Sequence, residues 1–363
     1  MLNELRQRFI GFVMAPALAG PWLLMLLSFF LSGCATAPSA PNIPALTVED
    51  FRVPSNAAGI ELFVRNKRPA GMQTFAADRI VLFVHGITFP SESTFDLSLD
   101  GLSWMDYIAR AGYDVYLVDV RGYGGSTRPS AMAEPPDRNP PITTLAEAVD
   151  DVGAAVNFIL RRRNVERINL IGWSWGTVIM GRYAATHGEK VDRLVLYAPV
   201  WQRKTESLAA RGTDVNTAYR LVNVAAMKPR WLTGVAPDKQ EQLIPRGWFE
   251  TWVAATLATD PSGSKQTPAV IRVPNGGLVA NRSALDWVPP YDPAAIKAPT
   301  LLIKGEWDAE TPAYMAQTLF PLIANAPVKE YVEIGEGTHS IMLERNRMQL
   351  FRAVQSFLDA PKK

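Results

Sequence analysis

The sequence predicts an α/β fold, a mostly parallel central sheet flanked by helices with a mainly helical insertion, and three observations carry that prediction. Short, nearly wholly apolar runs recur: RIVLFV at residues 79–84, DVYLV at 114–118 and RLVLY at 193–197. A strand that is apolar throughout is buried on both faces, as in a parallel sheet covered by helices. Segments with helical periodicity alternate with these runs, which is the pattern of right-handed strand–helix–strand units. Finally, RINLIGWSWG at 167–176 runs directly into TVIMGRYAATHG at 177–188, so that Ser174 falls at a strand-to-helix corner between Gly172 and Gly176.

The elements follow in order. Residues 48–53 and 60–64 read as opening strands split by the turn SNAAG, and the strand at 79–84 ends in His85-Gly86-Ile87. A helix at 102–111 leads through Gly112 into the strand at 114–118. The loop DVRGYGGS at 119–126 follows, in which Asp119 and Arg121 are expected to brace the chain by charge-assisted hydrogen bonds. After a proline-rich surface loop at 129–141, residues 144–163 place Leu145, Val149, Val152, Val156, Ile159 and Leu160 at helical spacing, with Thr143 or Thr144 as N-cap. The basic end of that helix, Arg161-Arg162-Arg163, reads as solvated.

Beyond Pro199 the alternation stops. Residues 201–290 show helix-like pieces without clear sheet alternation and carry Trp201, Trp231, Trp248, Trp252 and Trp287, which individually are expected to pack the insertion against the main domain. The sheet pattern resumes at 300–303, followed by a helix at 312–320, a strand at 328–334 and a closing helix at 343–358. The expected organisation is therefore a core of residues 47–200 and 291–363 interrupted by an insertion at 201–290.

Composition narrows the function. The chain has 363 residues, 48% hydrophobic and 20% charged, with a formal net charge of +2. That is globular and near neutral, without the basic footprint of a nucleic-acid binder. Its single cysteine, Cys34, excludes an internal disulfide and any multi-thiolate metal site. The start of the chain explains that residue better: Arg6 and Arg8 precede an almost wholly apolar stretch at 9–30, which ends in Leu31-Ser32-Gly33-Cys34. This resembles a bacterial lipoprotein signal peptide spanning 1–33, with Cys34 as the acylated residue and a proline-rich linker at 34–46. The resemblance implies a lipid-anchored protein of the cell envelope, and the absence of Asp after Cys34 favours the outer membrane. A membrane-spanning anchor is the competing reading, although Pro16 and Pro21 interrupt the apolar run.

The chemistry gathers around Ser174. Glycines two residues either side suit a tight turn that leaves no room for a Cβ, and the next N–H, that of Trp175, opens a helix where developing negative charge is favoured. A serine hydroxyl needs a base, and histidine is the usual one. Of the three histidines, His85 precedes the corner and reads as a structural loop residue, while His187 sits beside Gly188 at the end of the helix. His339, in the loop GEGTHS after the last strand, remains as the candidate base. The acid that would orient it follows the strand LLIKG, where Glu306, Asp308 and Glu310 are close rivals; Asp286 and Asp292 precede that strand.

With its G-x-S-x-G corner the chain resembles the α/β-hydrolase family. That resemblance implies a triad of Ser174, Asp308 and His339 in the family's nucleophile–acid–histidine order. It further implies an oxyanion hole made by the N–H groups of Ile87 and Trp175, and a cap formed by the insertion. No cofactor or metal is implied. The expected activity is hydrolysis of a small, fairly apolar carboxylic ester through an acyl-enzyme. GWSWG is also similar to the corresponding segment of proline iminopeptidases, with Glu241, Glu250 and Asp260 available to bind an amino terminus. Carbon–carbon bond hydrolases and cofactor-free haloperoxidases would use the same triad, and a non-catalytic ligand-binding lipoprotein is the alternative from another class. Oligomeric state is not legible.

Overall fold

A computed structural model describes residues 44–282 and 288–361. The leader, Cys34, nearly all of the linker, Asp286 and Trp287 lie outside the described residues. Among those described, no helix is long and apolar enough to cross a membrane.

Among the described residues there are ten strands: β1 (Leu46–Pro54), β2 (Glu61–Pro69), β3 (Ile80–Val84), β4 (Asp114–Val118), β5 (Ile168–Trp173), β6 (Val191–Tyr197), β7 (Tyr219–Val222), β8 (Ile271–Pro274), β9 (Thr300–Gly305) and β10 (Lys329–Ile334). Eight form one sheet in the order β1-β2-β4-β3-β5-β6-β9-β10. The β1–β2 and β2–β4 pairs are antiparallel, and every pairing from β4 to β10 is parallel. Every residue of β3, β4, β5, β6 and β9 is buried, as the near-continuous apolar runs require.

The register decides where chemistry can occur. Val84, the last residue of β3, lies opposite Gly172 of β5, while Tyr197 of β6 lies opposite Trp173 on one side and Ile303 of β9 on the other. Gly305 of β9 pairs with Ile334 of β10. The loops after β3, β5, β9 and β10 therefore all leave the carboxyl edge of the sheet at one level, the place where open α/β sheets present their ligand sites.

The long helix Leu145–Arg163 begins in a capping box: Thr144 accepts from the Glu147 N–H, and the Glu147 carboxylate accepts from the Thr144 N–H. Its basic end departs from expectation. Arg163 is an anchor, its Nε 2.6 Å from the Asp114 carboxylate and its side chain nearly as buried as that partner's. Arg162 pairs with Glu49 at 2.6 Å. The partners lie on β4 and β1, so nothing local in the sequence announces them.

The insertion is also not purely helical. Alongside Lys228–Trp231, Pro237–Leu243 and Trp248–Ala258 it holds the antiparallel pair β7–β8. Its alternation is hidden because an arginine takes an inward position. Arg220 is buried and donates to the carbonyls of Pro274 (3.0 Å) and Ile87 (3.0 Å), to Asn275 (3.1 Å) and to the Thr88 hydroxyl (3.1 Å). A charge that would be prohibitive if unpaired is here spread over four acceptors.

Candidate active site

The corner at Ser174 is a strained turn. The serine has φ 55° and ψ −120°, a conformation that L-residues rarely adopt, between the end of β5 and the helix Trp175–Thr186. Both flanking glycines are required. A Cβ on Gly172 would stand 2.3 Å from the Gly176 carbonyl oxygen, and one on Gly176 would stand 2.6 Å from the Val84 carbonyl oxygen. The turn can thus press against the end of β3 only without side chains at those positions.

Two backbone N–H groups open beside it. Trp175 is the first residue of its helix, so its N–H has no intrahelical acceptor, and neither it nor the N–H of Ile87 finds another among the described residues. The peptide that carries the Ile87 N–H has the Gly86 carbonyl, 2.7 Å from His85 Nδ1, and the following carbonyl, that of Ile87, accepts from the Tyr123 hydroxyl at 3.0 Å and from Arg220 at 3.0 Å. Arg220 and Tyr123 are site residues that sequence reading missed. Tyr123 lies in the glycine-rich loop after β4 and Arg220 in the insertion, and neither belongs to a motif.

His339 reaches the same cavity from the loop after β10. Its ring packs 5.2 Å from that of Trp173, and its carbonyl accepts from Trp173 Nε1 at 2.9 Å and from the Tyr197 hydroxyl at 2.8 Å. Nδ1 lies 2.9 Å from Asp308 Oδ2. Ser174 and His339 both line the cavity, and no hydrogen bond joins their side chains. Such contacts commonly tighten only when substrate is bound.

Of the acidic rivals, it is Asp308 that His339 touches. Its carboxylate is buried and accepts from the N–H groups of Glu310 (3.0 Å) and Thr311 (2.8 Å) and from the Thr311 hydroxyl (2.6 Å). Burial pushes this carboxyl up, but His339 and the Thr311 donors outweigh it and hold the group below the usual carboxylate range. Glu306 is exposed and accepts from the Glu336 N–H, while Glu310 pairs with Arg230.

The other histidines stand apart. His85 is wholly buried; Nδ1 lies 2.7 Å from the Gly86 carbonyl and Nε2 accepts from the Val120 N–H, which assigns a neutral ring whose burial lowers its pKa to about 4. His187 stacks on Tyr183 at the far end of a 12-residue helix, about 18 Å along its axis from Ser174. In the loop after β4, Asp119 accepts from the N–H groups of Ser91 and Gly125, and Arg121 forks onto Asp151; both brace that loop as expected.

One buried acid beside the site is unanticipated. Glu344 accepts from the Thr338 N–H at 3.0 Å, from the Thr338 hydroxyl and from Trp231 Nε1 at 2.7 Å, so it joins the histidine loop to the insertion. Burial raises its pKa to about 7 against the pull of those donors. The folded chain therefore keeps a proton that the unfolded chain releases near 4.5. Between those values the native state binds more protons, and stability falls as pH rises, by on the order of 3 kcal/mol across the window. His85 and Asp119 titrate over the same range in both proteins, so the difference is what isolates Glu344: denaturant unfolding should show Glu344→Gln gaining stability relative to wild type between pH 4.5 and pH 7.5, and an unchanged difference would remove Glu344 as the source.

Comparison with known proteins agrees with this architecture. Residues 79–346 match the model for the alpha/beta hydrolase fold, and the chain belongs to that family of enzymes. It is 27% identical to the AB hydrolase superfamily protein YisY of Bacillus subtilis over 269 residues, 71% of this chain and 85% of that protein. It is 33% identical to epoxide hydrolase A of Mycobacterium tuberculosis, but over 112 residues only, 31% of this chain and 29% of the relative's length. Among solved structures, a bromoperoxidase from Bacillus anthracis superposes with a TM-score of 0.59 at 18% identity, covering 86% of this chain and all of that one.

Proposed function

We propose that the chain is a serine hydrolase that cleaves a carboxylic ester of a fairly apolar substrate. His339 takes the proton of Ser174 as the hydroxyl attacks the acyl carbon, and the N–H groups of Ile87 and Trp175 receive the developing oxyanion. His339 then returns the proton to the leaving alkoxide, and a water, activated by the same imidazole, releases the acid. Asp308 fixes the imidazole tautomer throughout. The observation that carries this reading is the His339–Asp308 contact of 2.9 Å beside a strained serine that lines the same cavity. Ile87, Phe89, Leu208, Met227, Trp231 and Trp252 supply that cavity's apolar wall.

A fluorophosphonate probe should label the wild type and leave Ser174→Ala unlabelled; an unlabelled wild type that also turns over no ester would favour a non-catalytic binding protein. The aminopeptidase reading is weaker, because none of Glu241, Glu250 and Asp260 lines the cavity and Asp260 is held by Arg272 at 2.7 Å.

Acylation of Cys34 is part of the same proposal, supported by the lipobox-like LSGC segment. Cys34→Ser is expected to shift the protein from the membrane fraction to the soluble fraction after cell disruption. Retention in the membrane would point to the spanning anchor instead.

A further inference from the structure

The cavity beside Ser174 carries more positive charge than its own carboxylate uses. Arg203 and Arg230 both line it, and Glu310 is the one carboxylate among the described lining residues. Glu310 is already engaged: Oε1 accepts from Arg230 Nε at 2.6 Å and pairs with its Nη2.

Arg203 has no such partner. Its side chain is buried, Nη1 donates to the main-chain carbonyl of Glu310 at 3.1 Å, and Nε is buried without a hydrogen-bond partner. It forms an ion pair with no carboxylate among the described residues. Burial pulls the guanidinium below its ordinary pKa, with Glu310 opposing, yet arginine stays charged in proteins. A buried cation with an idle donor is costly when it serves packing alone. A ligand carboxylate in the cavity would meet that charge, since Arg203 lines it and the guanidinium fork matches carboxylate geometry.

We propose that Arg203 forms a carboxylate subsite and that the ester cleaved at Ser174 carries a free carboxylate beyond an apolar spacer. The spacer would lie along Leu208, Met227 and Trp252, which line the same cavity. The proposal rests on the serine-hydrolase reading and supplies its substrate class: half-esters of dicarboxylic acids, or esters whose alcohol part bears the carboxylate.

Two matched pairs test it. Mono-p-nitrophenyl adipate against its methyl-capped diester places the charge on the acyl side. The butyrate ester of 4-hydroxybenzoate against that of methyl 4-hydroxybenzoate places it on the alcohol side. In one pair the wild type should favour the anionic ester by about 10- to 100-fold in kcat/KM, the range for a hydrogen bond to a charged group. Arg203→Met should bring that ratio to near one, and Arg203→Lys, which keeps the charge without the fork, should retain part of it.

A separate readout avoids catalysis: calorimetry on Ser174→Ala should show monomethyl adipate binding more tightly than dimethyl adipate. Parity in both pairs, or a ratio unchanged in Arg203→Met, overturns the subsite while leaving the hydrolase reading intact. Binding of the monoanion by a protein that hydrolyses none of the four esters would do the reverse.

Discussion

Ser174→Ala is expected to lower kcat/KM on an activated ester by at least about 10⁴-fold, as loss of the nucleophile does in triad enzymes. Stability should move by less than about 0.5 kcal/mol, the usual range for a change that removes no contact. The second half of that expectation comes from the structure: the Ser174 hydroxyl has no hydrogen-bond partner among the described residues, so its removal strands no donor or acceptor. The strain at this position lies in the backbone, whose φ of 55° serves geometry and not packing. Ser174→Gly should accordingly lose the same activity yet gain roughly 1–2 kcal/mol in urea unfolding, because glycine adopts that conformation freely. If both variants unfolded more easily than wild type, the strain argument would be wrong; if Ser174→Ala kept its esterase activity, another group would be the nucleophile.

The parts of this molecule legible in the sequence are those specified by neighbours along the chain. Strands β3, β4, β5 and β6 read as short apolar runs because the sheet buries both of their faces, and the corner at Ser174 was visible because the bare backbones at Gly172 and Gly176 are a local requirement. His339 followed from having so few histidines to choose among. Contacts that join distant segments were opaque. Arg163 meets Asp114 across 49 residues and Arg220 meets Ile87 across 133, and no periodicity encodes either pairing. For the same reason nothing in the sequence marks Glu344, which accepts three hydrogen bonds beneath the histidine loop. The insertion concealed β7 and β8 because each is only four residues long and, in β7, a buried arginine breaks the alternation. Choosing Asp308 over Glu306 and Glu310 needed family position at the sequence level, whereas in the structure it needs only distance.

Asp308→Asn should lower kcat by about 10⁴-fold with a much smaller change in KM, as loss of an orienting carboxylate does elsewhere. The donors around residue 308 set the outcome. Oδ1 accepts from the N–H groups of Glu310 and Thr311, so in the asparagine the amide oxygen must take that position to avoid facing two donors with a third. The amide nitrogen then occupies the place of Oδ2 and points its hydrogens at His339 Nδ1. An imidazole that accepts at Nδ1 carries its proton on Nε2, the nitrogen that must be bare to receive the Ser174 proton. The ring would stay in place and be held in the wrong tautomer. Since both changes disable one proton transfer, the double variant Ser174→Ala/Asp308→Asn should be no slower than Ser174→Ala alone, and multiplicative losses would show that Asp308 acts outside the triad. Should Asp308→Asn keep its rate to within tenfold of wild type, the carboxylate of Glu310, whose own N–H bonds to Asp308, becomes the group to test next.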